Sequence, residues 1–245
     1  MGVEQRSCVY VVCSPHAHVG TTLTARLLLD FLLSQSGPAH GFDTNHLDPG
    51  LATVFPGDVQ VIDLATTRGQ MVLFDQLIED DKTSKVVDLW HVSYDRFFKQ
   101  AAEFGFFAEA RARSLKCFFL LLMDPKERFV LELGSLSRLW PTADVILVQN
   151  EGLIGSDAAT TRIDSVKFGQ RPIIIPSLDR SLLQLLAQPE ILICRFIGMA
   201  APDDLKLLQD HAAGRVGPLC EQFELLEVAS ELGLPARSLL PRQAR

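Results

Sequence analysis

The sequence lacks any apolar run approaching the ~20 residues of a membrane span. Its first residues, MGVEQRS, have neither the apolar length nor the cleavage pattern of a signal peptide. They only half-match a myristoylation signal, because Arg6 stands where Ser or Thr is wanted. Cysteine is sparse: Cys8, Cys13, Cys117, Cys194 and Cys220 are odd in number and contain no C-x-x-C pair. Cys8, Cys13 and Cys117 lie in apolar runs, so they are expected to be small buried hydrophobes in a reducing compartment. Excess positive charge is also missing. The formal net charge is −7, which gives no support to DNA binding. No G-x-S-x-G nucleophile elbow, internal repeat or low-complexity linker occurs. His16 and His18 form an H-x-H, a poor zinc signature without carboxylate or cysteine partners nearby. The expectation is a cytoplasmic protein with no transmembrane segment.

What is present reads as an ordinary folded chain. Hydrophobic residues make up 47% and charged residues 22% of 245 positions. A globule of this size buries most of the surface its unfolded chain would expose. Short apolar runs alternate with helical patterns. Residues 8–14 (CVYVVCS) read as a buried parallel strand, 15–20 as a loop and 22–35 as a Leu-rich helix stopped by Ser36, Gly37 and Pro38. Strands are expected at 39–44, 59–64, 85–90, 115–123, 144–150 and 172–175. Residues 47–58, with two prolines and two glycines, read as loop. Helices are expected at 69–80, at 94–114 with an interruption near Gly105, at 125–140, at 181–187 and at 203–232. This alternation predicts an α/β fold, a largely parallel central sheet with helices on both faces. One domain over 1–245 is the simplest organisation, with a C-terminal helical part at about 200–234 and a loose tail at 235–245.

The informative segment is Ser14-Pro15-His16-Ala17-His18-Val19-Gly20-Thr21-Thr22, which joins the first strand to the first helix. Such a turn points main-chain N–H groups and the positive end of a helix dipole at one spot, which suits phosphate. Gly20 permits close approach of the backbone, and the Thr22 hydroxyl is of the type that holds Mg²⁺ at this place. The plain structural alternative is a tight turn capped by Thr21.

The run HVGTTLTARLLLDFL resembles the start of ParA/MinD-like P-loop nucleoside triphosphatases, whose Gly-Gly-Val-Gly-Lys-Thr-Thr leads into an apolar helix. Val19, Gly20, Thr22 and Ala25 match that pattern. The family's phosphate-binding lysine falls on Thr21 and its signature lysine on His16, while Ala17 and His18 replace two glycines. The resemblance implies a P-loop, Rossmann-like three-layer fold that binds ATP or ADP with Mg²⁺ and acts as a nucleotide-controlled switch. Loss of both lysines removes the fixed charge at the β- and γ-phosphates. At most a slow Mg-dependent ATPase is then expected.

The same resemblance implies two acidic residues at strand ends, one orienting water or metal and one holding Mg²⁺ through water. Asp43 in Gly41-Phe42-Asp43 fits the first; a turn before the proline-rich loop is its structural alternative. Asp88 and Asp63 compete for the second. Spacing favours Asp88, because a parallel neighbour needs a crossover helix and the only helical pattern in between precedes the Asp88 strand. Residues 59–64 would then be an added strand at an edge. The order and texture of 42–98 are most similar to the TraL-like conjugal-transfer branch. Asn150 and Pro176 match the family's adenine end; an amide offers the donor and acceptor an adenine edge requires, while a cap or turn role is the alternative. A homodimer or a protein partner is implied by the same kinship. A degenerate scaffold that binds no nucleotide and a P-loop kinase or ligase remain as alternatives. No D-x-x-G and N-K-x-D pair appears, which leans away from GTP.

Overall fold

Strand β1 (Cys8–Cys13) is buried at every position. Side chains alternate across a strand. Cys8, Tyr10 and Val12 therefore enter one apolar core and Val9, Val11 and Cys13 another. The computed structural model describes residues 7–35, 37–123, 143–153, 172–189, 191–200, 202–236 and 239. After β1 come α1 (Thr21–Ser34), β2 (Ala39–Asp43), α2 (Gly50–Val54), β3 (Val59–Val61), α3 (Thr67–Ile78), β4 (Ser84–Asp88), α4 (Tyr94–Glu103) and α5 (Phe106–Ala112). They are followed by β5 (Lys116–Leu122), β6 (Asp144–Asn150), β7 (Ile173–Ile175), α6 (Arg180–Leu186), α7 (Ile193–Gly198) and α8 (Lys206–Glu231).

Among the described residues, seven strands form one sheet in the order β3-β2-β4-β1-β5-β6-β7, and each of their pairings is parallel. Buried residues of α1, α2, α6, α7 and α8 pack on one face. Those of α3, α4 and α5 pack on the other, around stacked and edge-on phenylalanine rings such as Phe74 with Phe97. The molecule is thus a three-layer α/β fold, as the alternation of patterns predicts. Strands β2 to β4 lie on one side of β1 and β5 to β7 on the other. The C-terminal end of β1 is where the connections diverge, the place where open parallel sheets form ligand crevices.

Several elements differ from the sequence expectation. The loop expected at 47–58 contains the one-turn helix α2, and α7 was not expected at all. Both are shorter than seven residues, too short for periodicity to reveal, and each is held by a buried carboxylate from elsewhere in the chain. The edge strand is shorter than 59–64 but does lie at the sheet edge. The break near Gly105 separates α4 from α5, with Gly105 in the left-handed region at φ 65°. The helix expected at 125–140 lies outside the described residues, as do 237, 238 and 240–245 of the expected tail. Among the described residues, no helix is long and apolar enough to cross a membrane.

Helix α1 is buried from Thr24 to Leu32, and this stretch includes Arg26 and Asp30. Arg26 lies over the Phe55 ring, 5.7 Å from its centroid. Asp30, fully buried, accepts the N–H groups of Ile193 at 2.7 Å and Cys194 at 2.9 Å. Those are first-turn amides of α7, which lack intrahelical partners. Burial pushes the Asp30 carboxyl above its ordinary range, and the two amides pull it back. We predict that Asp30→Ala, which leaves two buried donors unpaired, lowers unfolding free energy by on the order of 2–4 kcal/mol in urea titrations. Asp30→Asn, which keeps an acceptor for only one of the two amides, should cost less than Asp30→Ala; a loss well below about 1 kcal/mol for Asp30→Ala would show that these hydrogen bonds do not hold α7.

Candidate functional site

The turn between β1 and α1 adds unbonded amides to the four that any helix start leaves without partners. The His16 N–H donates to Ser14 Oγ at 3.2 Å. The next bonded amide is that of Thr24, which donates to Gly20 O at 3.0 Å while the Thr24 hydroxyl donates to the same oxygen at 2.9 Å. Among the described residues, the seven N–H groups from Ala17 to Leu23 have no acceptor. His18 at φ 61° and Gly20 at φ 98° both sit in the left-handed region. For a histidine that conformation costs on the order of 1 kcal/mol or more and needs its surroundings to hold it. Gly20 is the N-cap of α1 and offers no side chain, so Thr21 is not the cap. Successive amides in such a turn, at a helix N-terminus, carry partial positive charge and favour an anion. His16 is half-buried, while Ala17 and His18 are exposed.

Asp43 and Asp88 stand side by side across this turn. They are register partners at the ends of the parallel strands β2 and β4, with 0% and 4% of their surface exposed. Thr44 locks the two strand ends together: its N–H and hydroxyl donate to Asp88 O at 3.1 and 3.0 Å, and its hydroxyl accepts the Trp90 N–H at 2.8 Å. The Thr22 hydroxyl lies close enough to the Asp88 carboxylate to favour its charged form. Burial pushes the Asp88 carboxyl up to about 7; Thr22 opposes that rise and the neighbouring Asp43 charge adds to it. Asp43 Oδ1 accepts the Asn45 N–H at 3.0 Å, and Oδ2 accepts those of Leu51 at 2.9 Å and Ala52 at 3.2 Å. Burial raises the Asp43 carboxyl, and these amides draw it down. The same contacts dock the start of α2 against the site, where a Cβ on Gly50 would lie 3.2 Å from Thr22 Cγ2. Asp63 is elsewhere. It follows the edge strand β3, accepts the Ala65 N–H at 2.8 Å and lies 3.5 Å from His46 Nδ1. The structure therefore brings Thr22 to Asp88 and leaves Asp63 two strands further from β1.

Asn150, the last residue of β6, reaches the same turn. Its Nδ2 donates to Val19 O at 3.2 Å and its Oδ1 accepts the Gly152 N–H at 2.9 Å. A Cβ on Gly20 would lie 2.3 Å from Asn150 Nδ2, so position 20 needs glycine for both its φ and this close approach. Pro176 follows β7, whose Ile175 is the register partner of Asn150. Both residues thus lie at the C-terminal ends of their strands, the same side of the sheet as the turn. The strap from Asn150 to Val19 and the wall formed by α2 are the parts that sequence reasoning missed. The Asp-Pro-Gly of Asp48, Pro49 and Gly50 was the available signal for α2, since proline is favoured at helix starts. Among the described residues, no group of three or more His, Cys, Asp or Glu side chains is placed to hold a metal ion. Mg²⁺ needs fewer protein ligands, since it keeps several waters.

Fold and site together define an α/β protein with, among the described residues, an all-parallel seven-stranded sheet and a turn of acceptor-free amides at the C-terminal end of its central strand. No family model matches the chain, and no curated protein matches it. Among solved structures, it is similar to a nucleotide-binding protein in complex with ADP from Archaeoglobus fulgidus, at 13% identity and a TM-score of 0.47 over 76% of this chain and 88% of that one. The assignment of the site rests on this chain's own geometry.

The Asp88 environment has a pH signature. A carboxyl raised in the folded state contributes most to stability while protonated, and that contribution is lost as pH rises from its unfolded value, about 4, through about 7. We predict that the Tm of the wild type falls relative to that of Asp88→Asn by several degrees between about pH 5 and pH 8. Parallel Tm profiles of the two proteins would show that Asp88 is not held in this way.

Proposed function

We propose that this protein binds ATP or ADP with Mg²⁺ through the turn 14–22, as a ParA/MinD-like P-loop protein with slow or absent hydrolysis. The observation that carries the reading is the run of seven main-chain amides without acceptors, Ala17 to Leu23, beside the Thr22 hydroxyl and the Asp88 carboxylate. These groups fit a nucleotide: the amides would hold its phosphates. The Thr22 hydroxyl and, through water, Asp88 would hold Mg²⁺. The metal supplies neutralising charge at the β- and γ-phosphates. Asn150 and Pro176 would flank the base. Asp43 would orient water, but both its oxygens already hold main-chain amides. His16 and Thr21 stand where the family has lysines. Phosphoryl transfer depends on positioning and charge neutralisation. Two missing cations and an engaged Asp43 therefore favour a switch over an efficient ATPase.

In this reading nucleotide biases dimerisation or docking of a protein partner in the cytoplasm, in a positioning or transfer role of the TraL-like kind. A second reading is favoured by the Asn150 strap: with both functional ends of that amide engaged, the fold would serve as an interaction scaffold that binds no nucleotide. The kinase or ligase alternative has no further support.

A ligand that binds only the folded state raises its stability. At about a hundredfold excess over Kd, Mg-ADP or Mg-ATP should raise Tm by roughly 5 °C or more. Gly20→Ala, checked as folded by circular dichroism, should lose the shift. Thr21→Lys should tighten ATP binding on the order of tenfold, by restoring a charge-assisted contact. No shift with either nucleotide, in the wild type or in Thr21→Lys, would favour the scaffold.

A further inference from the structure

Two of the five cysteines face each other away from the nucleotide-type site. Cys194 lies in the first turn of α7 and Cys220 in the middle of α8, with their Sγ atoms 2.9 Å apart. Both are half-buried, whereas Cys8, Cys13 and Cys117 are buried. The Cys194 backbone is fixed by its bond to Asp30 of α1. Cys220 follows Gly217 and Pro218 inside α8. Proline there removes one helical hydrogen bond, so this part of the helix can adjust. Reaching the ~2.05 Å of a sulfur–sulfur bond takes an approach of about 1 Å. Among the described residues no third ligand completes a metal site around the pair, which leaves bond formation between the two sulfurs as its distinctive chemistry.

We propose that Cys194 and Cys220 are a reversible disulfide site, closed by exchange with a low-molecular-weight disulfide such as glutathione disulfide, that locks α7 to α8. The contact with Cys220, burial and the charge of Asp30 all disfavour a thiolate at Cys194, so the exchange begins at Cys220. Cys220 gives its proton to solvent and attacks one sulfur of the reagent. The reagent's sulfur–sulfur bond breaks, one thiolate leaves and a mixed disulfide remains. Cys194 then loses its proton and attacks the Cys220 sulfur, forming the Cys194–Cys220 bond and expelling the second thiolate. The two cysteines lose two electrons and two protons, and the two released thiols carry them away. The bond pins the middle of α8 to α7 and, through Asp30, to α1, the helix that begins at the phosphate-type turn. This site stands whether or not nucleotide binds.

The test treats the full chain with glutathione disulfide, alkylates the remaining thiols under denaturing conditions and maps peptides by mass spectrometry. The expected result is a Cys194–Cys220 linked peptide two hydrogens lighter than the separate pair, with Cys8, Cys13 and Cys117 alkylated. Tm should rise by several degrees, since a crosslink between distant residues restricts the unfolded chain, and dithiothreitol should reverse the rise. Cys194→Ser and Cys220→Ser should each abolish both the link and the rise. Five alkylated cysteines, glutathione adducts that persist on either residue, or bridges to another cysteine or another copy would overturn the site. A Cys194–Cys220 bridge with unchanged Tm would overturn the lock.

Discussion

Seven consecutive main-chain amides without acceptors, between Ala17 and Leu23, are the constraint on which the functional reading depends. A helix start usually borrows a side-chain oxygen. Here the cap is Gly20, which has none to lend. The geometry is then maintained from outside: Asn150 ties Val19 to the end of β6, and α2 abuts Thr22. The sheet beneath is rigid because β1 is buried on both faces. A polar, left-handed turn is thus set on an apolar platform that cannot easily relax to satisfy it.

The carboxylates obey the same logic of burial. Asp43 and Asp88 are brought together by strand register, and each must be compensated in a different way. Asp43 is neutralised by amides of the Asn45 turn and the start of α2. Asp88 has the Thr22 hydroxyl and, at neutral pH, shares its ionisation with a proton. A divalent cation at Thr22 would favour the ionised form, so metal and proton would compete at Asp88.

Much of the fold was legible in the chain. Buried strands announced themselves as continuous apolar runs and Gly105 marked a real helix break, whereas the rule that a parallel neighbour needs a crossover helix failed at β3, which pairs parallel to β2 after only the one-turn α2. What escaped was held by tertiary contacts. Helix α2 exists because Asp43 receives its first amides, and α7 because Asp30 receives its own; no local periodicity encodes either. Asn150 was expected at the base end, yet its side chain is engaged with the turn and with Gly152. Glycine at position 20 was legible as a loop signal, but its reason, the 2.3 Å approach to Asn150, needs the fold. The pairing of Cys194 with Cys220 was invisible for the same reason, since 26 residues separate them.

The most direct test of the central claim follows the amides themselves. In a ¹⁵N-resolved titration of the full chain with Mg-ADP, the resonances of Ala17 to Leu23 should shift strongly and saturably as their N–H groups gain phosphate acceptors. Those amides staying in place at saturating nucleotide, whatever else moves, would contradict the account.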